Sequence, residues 1–223
     1  RNMSHVLMEQ GFYEKAFEHC TKAKKELEEL SESCQLEIAH CLHTIGSSCW
    51  GQCKHHEALT YLEQALRIKQ SVLPGIHVHI AETLNSIGLV YLAIKDVEKA
   101  FNHFMSSLDM YQACLPEDHP DIANVLHNIA DFYYSKNQPD VALHHYQLSL
   151  EMKKKCFPPS HPSIATTLNN ISTVLSAKGD KKSALDLCLK ALKIREKALP
   201  FDHPDLAISL SSAGHKYEAL KEN

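Results

Sequence analysis

The sequence has no uninterrupted apolar run long enough to cross a bilayer, and its first residues carry no basic region followed by an apolar segment. Membrane insertion is therefore not expected, and a soluble, cytoplasmic setting is. Arg1 stands within what reads as the end of a helix, as in a fragment whose targeting sequence would lie upstream. Charge of one sign is missing too: Lys and Arg number 23 against 27 Asp and Glu, a net charge of -4, and the residues are interspersed without a basic block. That argues against the electrostatic footprint of a nucleic-acid-binding protein.

Catalytic signatures are absent. No nucleophile elbow, phosphate-binding loop or helix-borne metalloprotease motif gathers the abundant Ser, His and Asp, so neither an enzyme nor a cofactor is expected. The segment Cys49-Trp50-Gly51-Gln52-Cys53-Lys54-His55-His56 collects thiols and imidazoles, which are good zinc ligands. Its cysteines nevertheless stand four apart on or beside a helix end, and no compact ligand pair elsewhere completes a set, so no metal is expected. Cys20 and Cys188 fall on the repeat position that holds Leu62, Phe104 and Tyr146. They read as small apolar residues packed inside, in a reducing compartment.

What the sequence does have is a period. Ile38-Ala39, Ile80-Ala81, Ile122-Ala123, Ile164-Ala165 and Leu206-Ala207 recur every 42 residues, and Ala16, Ala58, Ala100, Ala142 and Ala184 keep the same interval. Almost the whole chain is thus one supersecondary unit repeated, each copy burying its apolar faces against its neighbours. Within a copy, Ile80, Leu84, Ile87 and Tyr91 lie at helical spacing, as do Ala100, Phe104, Leu108 and Tyr111. Each copy is read as two antiparallel helices joined by a short polar turn, such as Lys95-Asp96, Asn137-Gln138-Pro139 or Gly179-Asp180. Asn137 and Gly179 suit a left-handed residue that ends the first helix, whereas Lys95 and Cys53 suit it less well.

Small residues explain how the helices approach. Gly46, Gly88, Ala130, Ser172 and Gly214 share one column, and the Ala16 series, through Ala58, Ala100, Ala142 and Ala184, forms another. Between copies stand Asp118-His119-Pro120, Ser160-His161-Pro162 and Asp202-His203-Pro204, with a degenerate Ile76-His77. A proline there suits the first turn of a helix, and the histidines are read as building the helix entry. The expected divisions are a partial or N-terminal repeat at 1–33, repeats at 36–75, 78–117, 120–159 and 162–201, and a terminal or capping helix at 204–220.

The pattern Ala-x-x-Leu-Asn-x-Ile-Gly-x-x-Tyr at 81–91, followed by Ala100, Phe104 and Pro116, resembles the tetratricopeptide repeat. The 42-residue period and the Asp-His-Pro links resemble its kinesin-light-chain-like class. The resemblance implies an all-α fold, a right-handed superhelical array of antiparallel helix pairs, and a concave groove that takes a peptide or an extended segment of another protein. Matching groove positions gives His43, Trp50, Asn85, Leu89, His127, Asp131, Tyr134, Asn169 and Thr173 as peptide-binding candidates. Asn85 and Asn169 offer donor and acceptor to a peptide backbone, and Trp50 and Tyr134 offer broad amphipathic surface. His43 and His127 replace Asn in alternate repeats, Asp131 adds negative charge, and Lys and Arg are sparse. A mixed apolar and polar peptide is therefore expected rather than an acidic one.

Tyr91 and Tyr133 are read as interior, and Asn128 and Asn170 as facing the neighbouring helix. Lys153-Lys154-Lys155 and Lys190, Lys193, Arg195 and Lys197 are read as a solvated face late on second helices, where the helix dipole favours cations; an acidic partner or a membrane surface is the alternative. The leading functional expectation is a protein-interaction scaffold. The competing one is a repeat domain of a larger signalling protein, either self-assembling into a homo-oligomer or regulated by a segment of the same protein folding back into the groove.

Overall fold

Among the described residues five turns hold a left-handed backbone residue, and their occupants are Gly11 (φ 78°), Cys53 (φ 61°), Lys95 (φ 65°), Asn137 (φ 57°) and Gly179 (φ 90°). Each ends one helix and swings the chain back into an antiparallel partner. The computed structural model describes residues 3–9, 11–30, 34–201 and 203–221. Among these residues all regular structure is helical: α1 (Met3–Glu9), α2 (Tyr13–Leu30), α3 (Gln35–Gly51), α4 (His55–Val72), α5 (Val78–Ala93) and α6 (Val97–Cys114). Then come α7 (Pro120–Ser135), α8 (Pro139–Cys156), α9 (Pro162–Ala177), α10 (Lys181–Ala198) and α11 (Pro204–Lys221).

The entries to first helices have a shared device. His77, His119, His161 and His203 each turn a ring Nδ1 toward the amide N–H two residues on, accepting at 3.1–3.2 Å. This occupies one of the donors that a helix start leaves unpaired. Second helices α6 and α10 use carboxylates instead, Asp96 accepting from Lys99 N–H and Asp180 from Ser183 N–H.

The apolar columns then zip the helices into hairpins. In unit one, Arg1–Leu115, Ile45, Leu62, Ile87 and Val90 form a core with Cys20, Cys49 and Ala58. In unit two, Pro116–Asn223, Tyr146, Leu150, Ile164, Leu168, Ile171 and Val174 pack with Ala130, Ala142, Ala165 and Ala191. Ala58, Ala100, Ala142 and Ala184 are fully buried, and Gly46 and Gly88 are buried beside them. A Cβ on Gly88 would stand 2.5 Å from the Phe104 ring and 3.2 Å from the Ala100 carbonyl oxygen. Hydrogen bonds add to the fit: Ser107 Oγ donates to the Ala81 carbonyl and Ser149 Oγ to that of Ala123, each at 2.7 Å. Each ties the second helix of a hairpin to its first.

Tyr91 and Tyr133 are half-buried, stacked nearly parallel on His103 and His145 with ring centroids 5.4 and 5.3 Å apart. All eight cysteines are free thiols, with Cys20, Cys49 and Cys188 buried. None of the described helices is long and apolar enough to cross a membrane.

Candidate functional site

The peptide-binding candidates lie on the first helices α3, α5, α7 and α9, and in unit two a buried polar network joins α7 and α9. Lys153, late on α8, is 3% exposed. Its ammonium donates to Thr167 Oγ1 at 3.1 Å, and the same hydroxyl donates to the Ser163 carbonyl at 3.2 Å. His127 lies 3.2 Å from that hydroxyl through Nδ1 and 3.1 Å from Asn170 Nδ2 through Nε2. The donors assign the ring: Nε2 accepts from the Asn170 amide, so Nδ1 carries the proton and donates to Thr167. Asn170 Nδ2 also donates to Asp131 Oδ1 at 3.0 Å, and the Tyr146 hydroxyl donates to the same oxygen.

Burial sets the charges of this network. Desolvation, helped by the Lys153 charge, pushes His127 down to about 3, and desolvation pushes Lys153 down to about 8. It also pushes Asp131 up to about 6, against the opposing hydrogen bonds from Tyr146 and Asn170. At neutral pH the imidazole is uncharged, as it must be beside a buried ammonium.

Unit one repeats the arrangement 84 residues earlier. Lys69, fully buried, donates to Thr83 Oγ1 at 2.9 Å and to the His79 carbonyl at 3.2 Å, and His43 Nδ1 lies 3.3 Å from the same hydroxyl. Glu82 supplies the countercharge, 3.8 Å from Lys69, 3.6 Å from His43 and 3.5 Å from His79. Burial opposes ionisation of Glu82, yet the His79 contact and the charges of His43 and Lys69 hold it down at about 2. Burial pushes His43 down to about 4. A third version follows at Arg195, 4% exposed, which bonds Ser209 Oγ, Thr166 Oγ1 and the Asp205 carbonyl.

These cations correct the expectation of a uniformly solvated lysine face. Lys153 and Arg195 point inward and each satisfies a hydroxyl fourteen residues on; Lys154, Lys155, Lys190, Lys193 and Lys197 are exposed. The signal was present as a column: 69, 111, 153 and 195 hold Lys, Tyr, Lys and Arg, and 83, 167 and 209 hold Thr, Thr and Ser. A cation recurring in the same register with a hydroxyl at fixed distance marks an internal pair.

The peptide-binding candidates divide accordingly. His43, His127 and Asp131 are engaged by internal partners, although an edge of Asp131 reaches solvent, its side chain being 29% exposed. Asn85 and Leu89 are half-buried on α5. Asn169, half-buried on α9, accepts from the Cys188 thiol at 3.3 Å, and its backbone carbonyl accepts from the exposed Thr173. Trp50 and Tyr134 share one repeat position, one in each unit, and are 38% and 37% exposed. Among the described residues no group of three His, Cys, Asp or Glu side chains is placed to hold a metal ion.

Comparison with known proteins adds the following. A family model described as tetratricopeptide repeat matches residues 1–71 and 79–155, and another of the same description matches 164–205. No curated protein sequence matches the chain. Among solved structures it is similar to BtubC (BKLC) from P. vanneervenii, at 16% identity and a TM-score of 0.74, over 94% of this chain and 84% of that one. It is also similar to kinesin-light-chain TPR-like repeats from Podosopora anserina, at 20% identity and a TM-score of 0.65, over 85% and 89% of the two chains. A Rap conjugation gene regulator of plasmid pLS20, in complex with the Phr* peptide, is similar at 16% identity and a TM-score of 0.74. That match covers 87% of this chain and 52% of the regulator. At such identities the likeness is one of fold.

Proposed function

Since the chain belongs to the tetratricopeptide repeat family, we propose that it is a non-catalytic interaction scaffold that holds a peptide or an extended segment of another protein along its first helices. The observation that carries this reading is the pair Trp50 and Tyr134, large aromatic side chains left more than a third exposed at one repeat position. Such rings contribute much contact area at low entropic cost and are favoured as anchors. Around them the buried networks fix α3 and α5 in one unit and α7 and α9 in the other, so the surface is ordered before a partner arrives. Asn85 and Asn169 are the proposed backbone-holding amides, and Leu89 and Thr173 follow them by four residues on α5 and α9. His43 and His127 serve this reading by positioning their helices.

The kinesin-light-chain-like class is the finer proposal, supported by the histidine-entered helices at a 42-residue period and by the similarity to kinesin-light-chain repeats. The regulator solved with a peptide gives precedent for peptide capture on this fold. A peptide array probed with the folded chain tests the proposal. Trp50→Ala with Tyr134→Ala, and separately Asn85→Ala with Asn169→Ala, should each reduce binding of a reproducible peptide family by roughly tenfold or more. Folded variants that bind as the wild type does would remove the groove assignment.

Self-assembly is a second reading with its own observation. On α11, Leu210 and Tyr217, seven residues apart on one face of the helix, are 51% and 53% exposed, a face suited to a second copy. A concentration-dependent sedimentation coefficient that Leu210→Ser with Tyr217→Ser abolishes would favour it.

A further inference from the structure

Unit two contains a cleft of about 720 Å³ bounded by α8, α9, α10 and the Pro159–Ser160 connection. None of the peptide-binding candidates lines it. Its floor is apolar, formed by Leu150, Ile164, Leu168, Leu187 and Ile194, which belong to or pack against the core. Its rim is cationic: Lys154 from α8 and Lys190, Lys193 and Lys197 from α10, all exposed. Among the described residues no Asp or Glu lines it.

The repeat does not demand these lysines. One period earlier the matching positions hold Gln112, Leu148, Glu151 and Lys155, and two periods earlier Gln70, Ser106, Asp109 and Ala113. A solubilising face required by the architecture would recur with the period, and this one does not. The helix dipole favours Lys197, in the last turn of α10, but its influence falls off within that turn and leaves Lys190 and Lys193 unexplained. In a chain of net charge -4, four cations around an uncharged apolar floor form a local positive field.

We propose that this cleft docks an acidic amphipathic helix of a partner protein. The sign follows from the lysine rim, and the apolar stripe follows from the floor, which the lysine stems extend. The helical form follows from hydrogen-bond accounting. The walls are helices whose backbone groups are paired internally, and the one polar side chain lining the cleft besides the lysines is Ser160. An extended segment would find almost nothing there to pair its amides and carbonyls, whereas a helix brings its own pairs. The occupant carries leucine-like residues at i, i+3, i+4 and i+7, with Asp or Glu on both borders of that stripe.

The test uses the whole chain and two labelled synthetic peptides with this leucine pattern, one bordered by Glu and one by Lys, read by fluorescence anisotropy. The Glu-bordered peptide should bind and weaken as salt rises, while the Lys-bordered one should not bind. Lys190→Glu with Lys193→Glu should weaken the Glu-bordered peptide by roughly tenfold or more, and Lys190→Gln with Lys193→Gln by less. Trp50→Ala with Tyr134→Ala should leave it unchanged, which separates this cleft from the groove. Equal affinity for the two peptides, or a charge-reversed variant with an unchanged circular dichroism spectrum that still binds at full strength, would overturn the proposal. So would retention on vesicles of phosphatidylserine in phosphatidylcholine, lost on charge reversal, with no binding of either peptide; that result would assign the cleft to an anionic lipid surface.

Discussion

Asp131 and His127 titrate in opposition although they share a network. Burial raises the folded carboxyl of Asp131 from 3.8 to about 6, so its contribution to stability is fully present below its ordinary value and is lost as pH rises through 6. His127 has the reverse effect. Its folded value is depressed from 6.5 to about 3, so the unfolded chain takes up a proton that the folded one refuses, and stability falls as pH drops below 6.5. Lys153, held at about 8, stays charged throughout this acid range. Asp131→Asn keeps an oxygen for Tyr146 and Asn170 but removes the compensating titration. Its unfolding free energy should therefore fall more steeply than that of the wild type between pH 6 and 4, by on the order of 1–2 kcal/mol. Urea unfolding at a series of pH values reads this directly, and parallel curves for the two proteins would refute it.

At the scale of the element, the informative positions are the turn residues with positive φ. Asn137 and Gly179 tolerate the left-handed region through a short polar side chain or none, but Lys95 and Cys53 hold it at φ 65° and 61° with an ordinary Cβ. The turn persists because the next residues over-determine it: Asp96 caps α6 through Lys99 N–H, and the Asp96 N–H donates to the Tyr91 carbonyl at 2.9 Å. Lys95→Gly should thus raise stability by about 0.5–1 kcal/mol, relief of the strain outweighing the extra freedom of the unfolded chain. A thermal melt at unchanged or lower temperature would count against that account. The histidine entries show the same logic at the other end of the hairpin. An imidazole does the work usual for Ser, Thr, Asp or Asn because its Nδ1 reaches the same amide.

At the scale of the whole molecule, Arg1–Leu115 and Pro116–Asn223 each carry a core and a buried cation network of their own. A repeat array is stabilised by contacts between neighbours, so a segment keeping several consecutive helices keeps most of what folds it. Residues 116–223 produced alone should be helical by circular dichroism and melt cooperatively, at a lower temperature than the full chain. A disordered spectrum would mean that the stability of this unit depends on the preceding repeats.

The sequence by itself determined what depends on period and local geometry: helical hairpins at 42 residues, the small-residue columns where helices meet, the left-handed turn positions and the proline-marked helix starts. Each of these is a constraint between residues close along the chain or at equal register, so one copy or the comparison of copies expresses it. Beyond the cation column that the period marks, tertiary structure decided which polar residues face inward. His43 and His127 occupy positions matched to the groove, yet each is engaged by a threonine 40 residues on, in the following hairpin. Lys153 and Lys154 are adjacent in a basic run, yet one is buried on a hydroxyl and the other rims an open cleft. Charge and hydropathy cannot separate such neighbours. The free energy of burying an ammonium depends on whether an acceptor stands within hydrogen-bond reach, and that is fixed only when the next hairpin packs in place.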